Sequence, residues 1–136
     1  MTVDTLYKEA NAYNIDIVDW NQGTLKAATI SLDNDYCIFV NKDNIETYTE
    51  EKCILAHEIG HCRTGSVHHV LSPFDLIEKH EYLADKYAVN KLIPKNKLKN
   101  AVKKGVTEVW QLADYFGVTE DFMRRAVYLH SLTDKV

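Results

Sequence analysis

The sequence predicts an α+β fold, and three observations predict it. Two β-rich runs, "LKAATISL" (Leu25–Leu32) and "YCIFVN" (Tyr36–Asn41), lie close together in the first third of the chain. Apolar residues at helical spacing dominate the chain beyond Thr47. No Pro/Gly-rich linker separates the two regions, so the expectation is one domain over residues 1–136. A chain of this length buries a real core, and its 46% hydrophobic and 26% charged residues are those of a soluble globular protein.

Taken in order, residues 2–14 read as a short helix, with Val3, Leu6, Tyr7, Ala10 and Tyr13 near helical spacing. The two β-rich runs are separated by "DND", which is hairpin chemistry, so they are expected to pair. The next helix begins near Thr47 or Thr49, where Glu50 and Glu51 suit the positive end of a helix dipole. It runs through His61 and ends near Gly65. "TGSVHHVLSP" is a loop by composition. A second long helix is expected from about Ile77 to Ile93, stopped by Pro94. Three shorter helices complete the chain: Lys95–Lys104 closed by Gly105, Thr107–Phe116 closed by Gly117, and Thr119–Leu132.

Composition narrows the function classes. The net charge of −4 argues against a protein that simply coats nucleic acid or anionic membrane. The imbalance is uneven: residues 1–93 carry eight Lys/Arg against fifteen Asp/Glu, and the rest eight against five. No apolar run reaches the length of a membrane span, and "MTVDTLYKEA" lacks a basic-then-apolar signal pattern. Cys37, Cys53 and Cys62 form no paired framework, which suggests free thiols in a reducing cytoplasm.

The chemistry concentrates in "CILAHEIGHCR", residues 53–63, where two histidines and a glutamate interrupt an apolar run. Burying such groups without partners costs a few kcal/mol each, so about that much must be compensated. His57 and His61 stand four apart and project from one helical face, the spacing at which two imidazoles share a tetrahedral zinc. Glu58, about 100° round the helix from His57, reaches a water at such a metal without ligating it. This is the H-E-x-x-H pattern of zinc-dependent hydrolysis.

A catalytic zinc needs a third protein ligand. An H-E-x-x-H-x-x-G-x-x-H arrangement would require Gly at 64 and His at 67, but those positions hold Thr64 and Val67, with Gly65 and His68 each displaced by one. His80 is a second candidate. Glu81, in "EYLADKYA", is the third and the one favoured, because Asp85 lies four residues on and Ala84 and Ala88 flank the pair. The alanines allow close approach to the zinc helix, and Asp85 suits the outer N–H of a ligand histidine. Glu78 lacks this support, having Tyr82 at the matching offset.

"EEKCILAHEIGHCRTG", "EYLADKYAVNKLIP" and "VWQLADYFGVTEDFMRRAV" resemble the ImmA/IrrE family of metallopeptidases, small relatives of the thermolysin-like zinc peptidases. The resemblance covers roughly residues 25–130, and its most specific parts are H-E-I-G-H and E-x-x-A-D-x-Y-A. It implies a small zincin-like domain, with a short sheet packed on the active-site helix and a helical C-terminal part. By the match, His57, His61 and Glu81 would bind zinc (Zn2+) and Glu58 would be the catalytic base. The family further implies a cytoplasmic, site-specific endopeptidase acting on a regulatory protein. Commonly that protein is a helix-turn-helix repressor, here one expected to be encoded nearby on a phage or mobile element. Some members carry extra sensing domains; the length of this chain suits the minimal catalytic unit.

Other features carry less. The hairpin offers an exposed edge to an extended peptide, with the edge strand unassigned. His68, His69, Tyr82 and Tyr87 are candidates for an additional oxyanion donor, a role left open. Cys53, one turn before His57, and Cys62 read as small buried hydrophobes. "LADYFGVTEDFMRRAV" supports a rival reading, a zinc-stabilised, non-catalytic DNA-binding or repressor-binding regulator. Ala113, Gly117, Val118 and Val127 approach a helix-turn-helix pattern there, and Arg124 and Arg125 add charge. Against DNA, Glu120 and Asp121 occupy the start of the would-be recognition helix. Specific nucleic-acid binding and membrane association are therefore not expected.

Overall fold

The computed structural model describes residues 1–33, 35–67 and 73–133, which fold as α+β. Main-chain contacts group the chain into two compact units, Met1–Ala88 and Val89–Val136.

In the first unit, α1 (Val3–Ala12) starts where the Thr2 hydroxyl accepts from the Thr5 N–H at 3.2 Å. Its inner face buries Leu6 and Ala10, and the Tyr7 hydroxyl donates to Glu51 Oε2 at 2.6 Å, tying α1 to the next long helix. The chain then reverses at Asn14, held at φ 60, a conformation Asn tolerates better than most residues. Strands β1 (Asp16–Asp19), β2 (Ala27–Leu32) and β3 (Asp35–Val40) form a sheet in the order β1-β3-β2. The expected hairpin is present: β2 and β3 run antiparallel, with Thr29 opposite Ile38 and Ala28 opposite Phe39. Asn34, between them in the sequence, lies outside the described residues. The sheet holds one strand more than the sequence suggests, β1, which pairs parallel with β3 from Asp16–Cys37 to Asp19–Val40.

The sheet has two unlike faces because strand side chains alternate. Ile38 and Val40 point into the core and are almost fully buried. Ala28, Ile30 and Phe39 line the opposite face.

Helix α2 (Tyr48–Thr64) begins where the Thr47 hydroxyl accepts from the Glu50 N–H at 3.0 Å, with Glu50 and Glu51 in the first turn. It ends at Gly65, whose φ of 65 is one that glycine adopts without strain. There the Ser66 N–H donates to the His61 carbonyl at 3.0 Å and the Gly65 N–H to the Cys62 carbonyl at 3.4 Å, the paired bonds of a Schellman ending. Most of α2 is buried, Leu55, Ala56, Ile59 and Gly60 included.

Helix α3 (Phe74–Leu92) starts three residues earlier than the periodicity suggests. Pro73, which has no N–H to leave unpaired, opens it, and its carbonyl accepts from the Leu76 and Ile77 N–H groups at 3.1 Å each. Helices α2 and α3 approach at Gly60 and Ala84. A Cβ added at Gly60 would sit 2.7 Å from the Ala84 carbonyl oxygen. Glycine inside a helix ordinarily costs about 1 kcal/mol relative to alanine, so packing rather than propensity favours it here. Gly60→Ala is therefore expected to lower stability despite the better helix former, by about 1–3 kcal/mol if the helices must shift. It is also expected to weaken any metal binding by His57 and His61, which flank the contact. Urea unfolding alongside a metal titration measures both, and a Gly60→Ala protein more stable than wild type contradicts the packing argument.

The second unit contains the end of α3 and helices α4 (Lys95–Lys103), α5 (Val109–Phe116) and α6 (Glu120–Thr133). Gly105 (φ 96) and Gly117 (φ 65) close α4 and α5, as expected. The Gln111 side chain accepts from the Glu108 N–H at 3.3 Å, and the Thr119 hydroxyl accepts from the Phe122 N–H at 3.1 Å. Within this unit Met123, Ala126 and Leu129 are buried, and His130 Nε2 donates to the Ile93 carbonyl at 2.7 Å. No described helix is long and apolar enough to cross a membrane.

Candidate metal centre

The site is assembled from α2, α3 and β2 of the first unit. His57 and His61 lie one turn apart on α2, with ring centroids 4.7 Å apart and Nε2 atoms 3.1 Å apart. Glu81 of α3 faces them, its carboxylate oxygens 2.8 Å from His57 Nε2 and 3.2 Å from His61 Nε2. One ligand atom from each of the three residues lies within 4.8 Å of the others.

The outer nitrogens decide what the inner ones can do. His61 Nδ1 is 2.8 Å from the Ser66 carbonyl, which only accepts, so Nδ1 carries the proton. His57 Nδ1 is 2.7 Å from Asp85 Oδ1, and the carboxylate likewise makes it the donor. A neutral imidazole protonated at Nδ1 has its lone pair at Nε2. Two Nε2 atoms and a carboxylate therefore converge on one point, an arrangement held together by positive charge, whether ring protons or a metal ion.

The electrostatics agree. Burial disfavours a charged His57, but the hydrogen bonds it donates to the Asp85 and Glu81 carboxylates outweigh this and raise its pKa to about 10. His61 is also raised, the Glu81 bond overcoming burial. Hydrogen bonds from His57 and His61 hold the Glu81 carboxyl well below the usual carboxylate range. The cluster stabilises positive charge, and two imidazole nitrogens with a carboxylate oxygen suit a divalent transition metal. A metal ion fits the residues present.

Glu58 lies on the other side of His57, buried, and turned toward the sheet. The Thr29 hydroxyl of β2 is within hydrogen-bond reach of Glu58 Oε1 at 3.2 Å and of its backbone carbonyl at 3.3 Å. Burial raises the Glu58 pKa, with the neighbouring histidines and Thr29 pulling the other way. The carboxylate is thus oriented beside the histidines without joining the metal-type grouping.

His57, Glu58, His61, Glu81 and Asp85 all come together here. His80, adjacent to Glu81 but turned round α3, is not in the grouping, and neither is Cys53. Cys37, Cys53 and Cys62 are buried thiols, none of them in a disulfide among the described residues. Burial, and then the Glu58 carboxylate, pushes Cys62 up to about 12, which keeps it a thiol. Tyr82 is exposed and Tyr87 half-buried on α3. His68 and His69, and with them the displaced His–Gly–His spacing, lie outside the described residues. Three contributors are not singled out by spacing: Thr29, Ser66 and Gly60. Gly60 alone leaves a signal, as a glycine inside an apolar helix.

A helix-borne His-x-x-x-His with an intervening Glu, a carboxylate from the following helix and a small mixed sheet define a metallopeptidase type of site. The chain belongs to the ImmA/IrrE metallopeptidase family: residues 1–128 match peptidase family M78, the IrrE N-terminal-like domain. No curated protein and no solved structure matches it.

Proposed function

We propose that the chain is a zinc-dependent, site-specific endopeptidase of the cytoplasm whose substrate is a regulatory protein, a helix-turn-helix repressor of phage or mobile-element type. The observation that carries the reading is the convergence of His57, His61 and Glu81 with Glu58 beside them but outside the ligand set. Bound there, zinc supplies a Lewis acid for the scissile carbonyl and acidifies the attacking water. Glu58 takes the proton from that water and delivers it to the departing amine nitrogen as the C–N bond breaks. Asp85 and the Ser66 carbonyl keep both imidazoles turned with Nε2 inward. Thr29 holds the Glu58 carboxylate in place.

The sheet order favours β2 as the strand that receives substrate. β3 is central, so β2 has an open edge among the described residues, and Thr29 links that strand to the catalytic carboxylate. An extended peptide that pairs with β2 passes close to Glu58. The repressor as substrate rests on the family resemblance. Its test is incubation of the zinc-loaded protein with the helix-turn-helix protein encoded beside its gene, with products read by mass spectrometry. An intact partner after prolonged incubation argues for a different substrate.

The rival reading as a DNA-binding regulator draws on α5 and α6. However, α6 opens with Glu120 and Asp121, both exposed, and Asp121 pairs with Arg124 at 3.1 Å. Acids at that position repel phosphates. No specific DNA affinity is expected in a titration at near-physiological salt, whereas saturable, sequence-dependent binding with a steep salt slope favours the regulator.

A further inference from the structure

The sheet face turned away from α2 carries an apolar groove of about 510 Å³, within the roughly 300–1,000 Å³ typical of ligand sites. Its floor is Ala28 and Phe39, opposite each other on β2 and β3. Trp20 stands edge-on to Phe39 with ring centroids 5.4 Å apart, and Leu25 and Ile30 form further walls. These are unusually exposed for such residues: Leu25 68%, Trp20 47%, Ile30 40%. Asn41, also in the lining, is buried and its Oδ1 has no hydrogen-bond partner.

The groove adjoins the open edge of β2. The Asn41 N–H donates to the Lys26 carbonyl at 2.8 Å, which sets the phase of the antiparallel ladder. Lys26, Ala28 and Ile30 turn their main-chain groups to β3, and Ala27, Thr29 and Ser31 turn theirs to the open side. A strand added there alternates its side chains. Those opposite Ala28 and Ile30 fall on the groove face, with Cβ atoms about 4.5–5.5 Å away.

We propose that this groove is a specificity subsite for the protein substrate, taking one bulky apolar side chain of the Leu, Ile or Phe class from an extended segment paired along β2. The proposal rests on the endopeptidase reading for the identity of that segment. It adds that substrate is selected from the sheet face opposite the metal-type cluster. Ten residues line the groove, fewer than the roughly 20–30 a side of a stable protein pair, so the occupant is a peptide segment rather than a second copy of the chain.

The test reads binding, not cleavage. The full chain carrying Glu58→Gln and Trp110→Phe leaves Trp20 as its one tryptophan and any bound peptide intact. The probes are acetylated, amidated Ser/Thr heptapeptides with one central Phe, Leu, Ala or Asp, followed by Trp20 emission. The Phe and Leu peptides should bind about 10–100-fold more tightly than the Ala and Asp peptides, with a blue shift. Ala28→Phe, which fills the groove, and Leu25→Ser, which removes a wall on an exposed position, should each erase the preference. Methylating the peptide's backbone nitrogens should weaken binding as well. Equal affinities for all four peptides, or a preference that survives both groove variants, overturns the subsite. Undiminished binding of the methylated peptides overturns pairing with β2, and a dimer in sedimentation that Ala28→Phe dissolves assigns the groove to a second copy instead. A wild-type protein that cleaves nothing refutes the endopeptidase reading and leaves this binding result to stand or fall separately.

Discussion

Glu58→Gln is expected to fold and bind zinc like the wild-type chain while its cleavage of the partner falls by at least about 10²–10⁴-fold. The substitution keeps the shape of the side chain and an oxygen for the Thr29 hydroxyl, which sits 3.2 Å from Glu58 Oε1. It removes only the capacity to accept a proton. The ligand atoms of His57, His61 and Glu81 are untouched, so metal content should not change. Substrate affinity should also hold, and a complex with an uncut partner should become detectable. A cleavage time course run beside zinc analysis and thermal unfolding decides the matter. Wild-type rates from a fully metallated Glu58→Gln protein rule out Glu58 as the base. Inactivation of the partner by binding alone, with neither form cutting it, supports a non-enzymatic antagonist.

The second large effect is on the metal itself. Wild-type protein should hold one zinc per chain, and Glu81→Ala should lose most of it on dialysis. Two imidazoles on one helix leave zinc short of the three protein ligands of a catalytic site. His80→Ala and Cys53→Ser should retain the metal, since neither side chain belongs to the grouping. Asp85→Ala should fall between, losing about 10–100-fold in affinity, because it frees His57 Nδ1 without removing a ligand. Metal analysis of wild type and the four variants under identical dialysis separates these outcomes. Full zinc in Glu81→Ala shows that the third ligand is another residue.

The parts of the fold legible in the sequence are those specified locally. The hairpin shows through its two apolar runs and polar turn, and α2 through the Thr47 cap, its acids and the glycine at 65. β1 does not show: "DIVD" is four residues long, has aspartate at each end, and gains its pairing only from β3, some twenty residues on. At the site, the i,i+4 spacings mark which side chains can act together on one helix. They also pick out Glu81 over His80, because only Glu81 has an acid and alanines in step with it. What they do not carry is information about other elements. Thr29 is one more β-former in its strand until the sheet is laid against α2, and Ser66 contributes a carbonyl, which every residue has.

The two imidazoles of the cluster are therefore held by supports of different heritability. His57 leans on a side chain, Asp85, so a single codon change can loosen or retune it. His61 leans on the main chain at Ser66, presented by the left-handed turn at Gly65. The Ser66 hydroxyl adds a longer contact to the same nitrogen at 3.4 Å, but no substitution deletes the carbonyl at 2.8 Å, so the main part of that support survives any small residue that preserves the turn at position 66. Sequence drift among relatives should then fall unequally on the two halves of the pair. The His57 side is where selection can adjust how tightly metal is held, and the His61 side is the fixed reference against which it does so.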